Sequence, residues 1–204
     1  MSGRSVAQPI GASTYHPHVT EQQRYTVIST NGDIELRDYA PCVVADVTVP
    51  GAVEQATNTA FRPLLNYISG ANRTNASLAM TAPVLQQEVS EQLAMTAPVI
   101  QEEGGEGTWT VSFVLPGDRP LEEYPAPTDP RVTLRALPGQ RAAALRWSGR
   151  WSAANIEKRT QQLRQAITEN GWEITGAPRW ARFDPPWTPP FARRNEIVIP
   201  VRSA

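Results

Sequence analysis

Apolar and polar positions alternate over residues 25–30, which predicts a strand, and Asn31-Gly32 predicts a tight hairpin turn into a return strand over 34–39. A valine-rich third strand covers 42–49 and stops at Pro50-Gly51. The period then changes. Val53, Ala56, Ala60, Phe61, Leu64, Leu65 and Ile68 recur at helical spacing, so 53–69 reads as a helix closed by Gly70. Pro63 sits inside it and is expected to bend it or displace a hydrogen bond. A strand over 108–115 ends at Pro116-Gly117, and a proline-rich connection fills 118–130. A second helix is expected over 152–170, with Ser152 as N-cap, Ile156, Leu163 and Ile167 as its apolar line and Gly171 after its last turn. A strand over 177–183, an aromatic, proline-rich loop over 184–191 and a final strand over 196–201 complete the pattern.

Two repeats organise these elements. Leu-Ala-Met-Thr-Ala-Pro-Val occurs at 78–84 and again at 93–99, with a polar, acidic segment between the copies. Each copy reads as a strand ending at a proline, Pro83 or Pro98, which favours an edge or a bulge. At longer range, residues 34–51 and 132–149 echo each other. Leu36-Arg37 matches Leu134-Arg135, a turn interrupts each (Ala40-Pro41, Pro138-Gly139), and each ends in Gly before a helix. The order is strands, helix, strands, twice over. Pseudo-repeats of about 24–116 and 131–202 can pair their sheets into a barrel or sandwich with one helix on each half.

Composition narrows the function. The formal net charge of 204 residues is −1, so there is no basic footprint for nucleic acid. The arginines near the C-terminus are interleaved with prolines and aromatics. The only cysteine, Cys42, excludes an intrachain disulfide and fits a reducing compartment. Without an apolar run of signal-peptide or membrane-spanning length, the expectation is a cytoplasmic protein with no membrane partner. Residues 1–23 read as a flexible tail and 24–204 as one domain. The only histidines, His16 and His18, lie in that tail, and no nucleophile elbow, phosphate loop or dinucleotide motif occurs. A non-enzymatic protein is expected.

Five segments in order resemble the SOUL heme-binding protein family: Ile34-Glu-Leu-Arg-Asp-Tyr39, the doubled Ala-Met-Thr-Ala-Pro-Val, Trp109 to Pro116, Trp147-Ser-Gly-Arg-Trp151, and Asp184-Pro-Pro-Trp-Thr-Pro189 before Arg193-Arg-Asn-Glu-Ile197. The resemblance implies an α+β fold, a distorted antiparallel β-barrel of two tandem pseudo-symmetric halves, each with a flanking helix. That architecture is shared with effector-binding domains of transcription regulators. It implies heme or another tetrapyrrole as ligand, bound without catalysis by a carrier or buffer. It places the cleft between the first helix and the loop before the last strand, here 53–69 facing 184–194. Where some members carry a histidine before the tyrosine of the second strand, this chain has Asp38.

The residues suit such a cleft. The helix offers Phe61 and Leu65 as apolar surface, with Asn58 and Arg62 beside them, and the loop offers Trp187 and Phe191, with Arg193 and Arg194 following. A large, flat, apolar macrocycle needs such walls and leaves its carboxylates near water and basic groups. His16, His18 and Met80 are the candidate iron ligands, although methionine on a strand is commonly core filler and tail histidines are commonly idle. Cys42 reads as a small packed residue, and Tyr39 and Tyr67 as packed rings. A second reading is a binding module for another apolar or cationic small molecule, with Glu54 or Glu196 as the acidic group.

Overall fold

A computed structural model describes residues 23–74, 90–94, 98–105, 107–117, 119–184 and 187–203. In chain order the elements are β1 (Tyr25–Asn31), β2 (Ile34–Tyr39), β3 (Cys42–Pro50), α1 (Val53–Ile68), β4 (Asn72–Arg73), β5 (Val99–Gly105), β6 (Thr108–Val114), β7 (Ala126–Pro127), β8 (Thr133–Leu137), β9 (Gln140–Trp147), α2 (Ala153–Glu169), β10 (Trp172–Ile174), β11 (Arg179–Arg182) and β12 (Asn195–Ser203). Short 3-10 turns lie at Leu121–Glu123 and Pro190–Ala192. The class is α+β: one large antiparallel sheet and two helices.

The strand order β1-β2-β9-β12-β11-β5-β6-β3-β8 explains the tandem repeat. Setting β1 aside, the path is a palindrome: β2 answers β8, β9 answers β3, β12 answers β6 and β11 answers β5. The pseudo-twofold passes through the β5–β11 pair, where Val99 faces Arg182 and Glu102 faces Arg179. β2 pairs with β9 and β8 with β3, so each half completes the other. Among the described residues no pairing joins β1 to β8, and the sheet is a path with two ends.

Alternation along each strand sends one set of side chains toward the helices. Val43, Ala45, Val47 and Val49 of β3, with Val111 and Phe113 of β6, pack under Ala56, Ala60, Leu64 and Tyr67 of α1. Leu145 and Trp147 of β9, with Ile197 and Ile199 of β12, pack under Ile156, Leu163 and Ile167 of α2. The repeated Leu-Arg pairs now have a reason. Leu36 and Leu134 join the helix-side cores, while Arg37 and Arg135 point to the opposite face and meet carboxylates there. The helix N-termini meet where Glu54 accepts the Ala153 N–H at 2.7 Å. α1 continues through Pro63 and ends before Gly70, whose φ of 109° favours glycine. Ser152 caps α2 by accepting from the Asn155 N–H. No helix among the described residues is long and apolar enough to cross a membrane.

The strands expected from the doubled heptapeptide are not met by the structure where its residues are described. The heptapeptide copy at 78–84 lies outside the described residues. In the second copy, Leu93 and Ala94 are not in a strand, and Leu93 instead donates its N–H to Ile68 at the end of α1. The strand begins at Val99 and runs through the polar Gln-Glu-Glu stretch of β5. β10, of three residues, and the β4–β7 pair, of two residues each, are too short for a period to reveal them.

Candidate functional site

Asn58, Phe61, Arg62 and Leu65 form one stripe of α1, because residues three and four apart share a helix face. The opposite stripe is buried on β3 and β6. Asn58, Phe61 and Arg62 are exposed and Leu65 is half-buried. Phe61 stays outward yet rests its ring edge-on against Phe113 of β6, with centroids 5.5 Å apart.

The other wall is the connection between β11 and β12. Its neck is tied where Phe183 donates its N–H to Arg194 and Asp184 accepts the Arg194 N–H. Arg193 Nε donates to the Thr188 carbonyl at 2.7 Å, and Ala192 donates to Pro189 across the 3-10 turn. This self-tied loop turns two aromatics outward: Trp187 is 82% exposed and Phe191 81%. Arg194 is committed elsewhere, donating to Glu196 at 2.7 Å and lying over the Phe183 ring.

Register relates the two walls. Phe113 faces Val99, Val99 faces Arg182, Arg182 faces Asn195 and Asn195 faces Trp147. Residues directly opposed in an antiparallel sheet share a face, so this row lies on the helix side with Phe113 and Trp147. Phe61 therefore stands over the β6 end of a row that passes through the last residue of β11, where the second wall begins. Two strand spacings, roughly 10 Å, separate Phe113 from Arg182. The row supplies a residue the sequence pattern did not mark. Arg182 is half-buried, with its guanidinium 5.3 Å from the centre of the Trp151 ring. Burial lowers its pKa, and the charge of Arg193 lowers it further.

A concavity opens on the sheet face away from the helices. It is small, about 30 Å³, and is lined by Tyr25, Tyr39, Ile100, Arg179, Phe183 and Glu196 among others. Its charges are built in pairs. Arg37 donates to Glu196 at 2.8 Å, to Tyr39 at 2.9 Å and to Glu35 at 2.7 Å. Burial alone would lower the Arg37 pKa, but Glu196 and Tyr39 outweigh it and hold the guanidinium above its usual range. Burial raises the Tyr39 hydroxyl to about 12. Arg179 is buried, and that burial lowers its pKa, with Glu102 3.9 Å away. The Gln140 amide, turned to present its oxygen, accepts from it.

The remaining candidates have ordinary roles. Asp38 holds Arg141 through two hydrogen bonds on the surface. Cys42 packs beside Val44, Ile100 and Leu137, and burial pushes its thiol up to about 11, which leaves little thiolate at neutral pH. Tyr67 is buried and donates its hydroxyl to the Pro125 carbonyl. Glu54 is engaged at the start of α2. His16, His18 and Met80 lie outside the described residues.

The fold has known relatives in structure. The EcmrR C-terminal domain superposes with a TM-score of 0.59 at 15% identity, covering 88% of this chain and 99% of that one. A hydrolase from Listeria innocua gives 0.55 at 14% identity, covering 86% and 94%. At such identities the likeness concerns the fold alone. No curated protein sequence matches the chain. The sequence model of the SOUL heme-binding protein family, in contrast, matches residues 20–200, from just before β1 into β12 and through both walls described above. The chain belongs to the SOUL heme-binding protein family.

Proposed function

We propose that this chain binds heme or a related tetrapyrrole, without catalysis, between the outer stripe of α1 and the β11–β12 connection, and serves as a cytoplasmic carrier or buffer. The observation that carries this reading is where apolar surface is left in water. The large apolar side chains exposed among the described residues are Val27, Ile28, Phe61, Ile174, Trp187 and Phe191. Three of these six are the aromatics of the two walls. Exposed aromatics on a self-tied loop contribute little to folding and are available to a ligand. Residues 24–204 act in this reading as one unit, its sheet curled toward a distorted barrel so that both walls stand on one rigid base. Neither nucleic acid nor membrane takes part.

The residues fit the macrocycle of heme. Phe61, Leu65, Trp187 and Phe191 would meet its faces, with Asn58, Arg62 and Arg193 at its rim. When bound, heme would supply a redox-active iron centre. Neither wall contains histidine, cysteine or methionine, so an iron ligand would come from beyond them, with His16, His18 and Met80 the candidates. The test is a hemin titration of the full chain, read as a saturable Soret shift, with Phe61→Asp as control. Saturation at micromolar hemin that weakens in the variant supports the reading. No saturable shift rejects it.

The concavity lined by Tyr25, Tyr39 and Ile100 favours a second reading, a site for another small molecule. The pairing there argues for an uncharged guest over a cation. Glu196 already accepts from both Arg37 and Arg194, so a cation would have to displace a guanidinium. A ligand screen by thermal shift separates the readings, since a ligand raises the melting temperature by mass action.

A further inference from the structure

Arginine is seldom buried without an acceptor, because its charge must be compensated as water is removed. Other arginines on or beside the sheet have a carboxylate. Arg37 has Glu196, Arg135 has Asp46, and Arg194 has Glu196. Arg179 is weaker, with Glu102 at 3.9 Å and the Gln140 amide. Arg182 departs from this pattern. Among the described residues it makes no hydrogen bond and no ion pair, and its guanidinium lies over the face of Trp151. Ring faces attract a cation, but they accept none of the guanidinium's in-plane N–H groups.

Two buried indoles beside it are in the same condition. Trp151 and Trp147 stack with centroids 6.0 Å apart and planes 12° from parallel. Both are buried, and among the described residues neither indole N–H has a partner. The charge of Arg193, which is of the same sign, bears on Arg182. One corner of the molecule thus gathers a guanidinium and two indole donors that meet no carboxylate among the described residues. It lies at the end of β11, on the helix side, in the row that leads to Phe113 and Phe61.

We infer that Arg182 anchors an acidic group of the ligand, so that the cleft selects a flat apolar ring bearing a carboxylate over a neutral or cationic one. The inference rests on the tetrapyrrole reading of the cleft. A planar guanidinium suits a carboxylate because its fork donates two parallel N–H bonds. The edge remains reachable, since Arg182 is only half-buried. Arg62, Arg193 and Arg194 are poorer anchors. Arg62 stands in solvent on the outer stripe of α1, Arg193 is tied to Thr188, and Arg194 is spent on Glu196.

The test uses the full chain, protoporphyrin IX with its two propionates, and the dimethyl ester of the same ring. Binding is read by quenching of tryptophan fluorescence. The wild type is expected to prefer the diacid by roughly 10- to 100-fold, the range of a charged hydrogen-bonded contact. Arg182→Gln is expected to bring diacid affinity down to that of the ester while leaving ester affinity unchanged, which also shows that the variant is folded. Phe61→Asp should weaken both ligands alike. Equal binding of diacid and ester by the wild type overturns the inference, as does an Arg182→Gln variant that retains the preference. In either case the cleft reading stands if Phe61→Asp still weakens both. If neither porphyrin binds the wild type, both the cleft reading and the inference fall.

Discussion

Replacing Trp187 with alanine separates a ligand-binding role from a packing role. The side chain is 82% exposed. A tryptophan of this kind presents roughly 150 Å² of coverable surface, and full coverage at about 25 cal/mol/Å² is worth about 4 kcal/mol. A flat guest meets one face of the indole, which halves that figure to about 2 kcal/mol. Fixing the rotamer costs about 0.5–1 kcal/mol of it. The net loss on truncation is therefore about 1–1.5 kcal/mol, or roughly tenfold in Kd. Folding should hardly notice, since exposed substitutions stay within about 0.5 kcal/mol. The assay is a pair of measurements on Trp187→Ala: a hemin titration followed in the Soret band, and a urea melt. Unchanged hemin affinity would refute the reasoning. So would a loss of stability above about 1.5 kcal/mol, which would mean that the indole packs against the chain.

Three further outcomes test the rest of the account. Glu196→Ala leaves the buried Arg37 guanidinium without its main partner and should cost about 3–5 kcal/mol in urea unfolding, whereas replacing both residues by apolar ones should cost far less; equal losses would contradict the pairing. Asn72→Ala removes three hydrogen bonds of a buried side chain, two to carbonyls of Tyr67 and Glu91 and one from the Glu91 N–H, and should cost about 2–3 kcal/mol while speeding amide exchange at Glu91; native exchange at Glu91 would count against it. The Cys42 thiol titrates near 11 when folded against 9.0 when free. Its raised value favours the protonated folded form, a contribution complete below about pH 9 and lost as pH rises toward 11. Folded protein should therefore react slowly with a thiol reagent at pH 8 and quickly in urea, and rapid reaction of the native state would show that the thiol is not so buried.

The helices and the first hairpin were legible because their periods are strong and their stops explicit: Gly70, Ser152, Asn31-Gly32. The Leu-Arg repeat was legible as symmetry, but its meaning needed the sheet, where Leu36 and Arg37 turn to opposite faces. β5 was hidden because tertiary partners support its polar side chains. Gln101 donates to the Val53 carbonyl and accepts from Thr57, and Glu102 accepts from Arg135. None of these partners is local in sequence. The doubled heptapeptide pointed to a strand pair, yet Leu93 is tied to the end of α1. The aromatics of the two walls could be named from sequence, since a tryptophan among prolines stands out. Arg182 could not. Its isolation follows from the register of four strands and from the lack of an ion-pair partner among the described residues, and neither is written along the chain.

Mapping amide shifts on adding zinc protoporphyrin to labelled protein tests the central claim most directly, because ring currents report position as well as binding. The account predicts that the largest shifts fall on Asn58 to Leu65, on Trp187 to Arg193 and on Arg182. Shifts concentrated instead around Tyr39, Ile100 and Val198 would contradict it and move the ligand to the concave face.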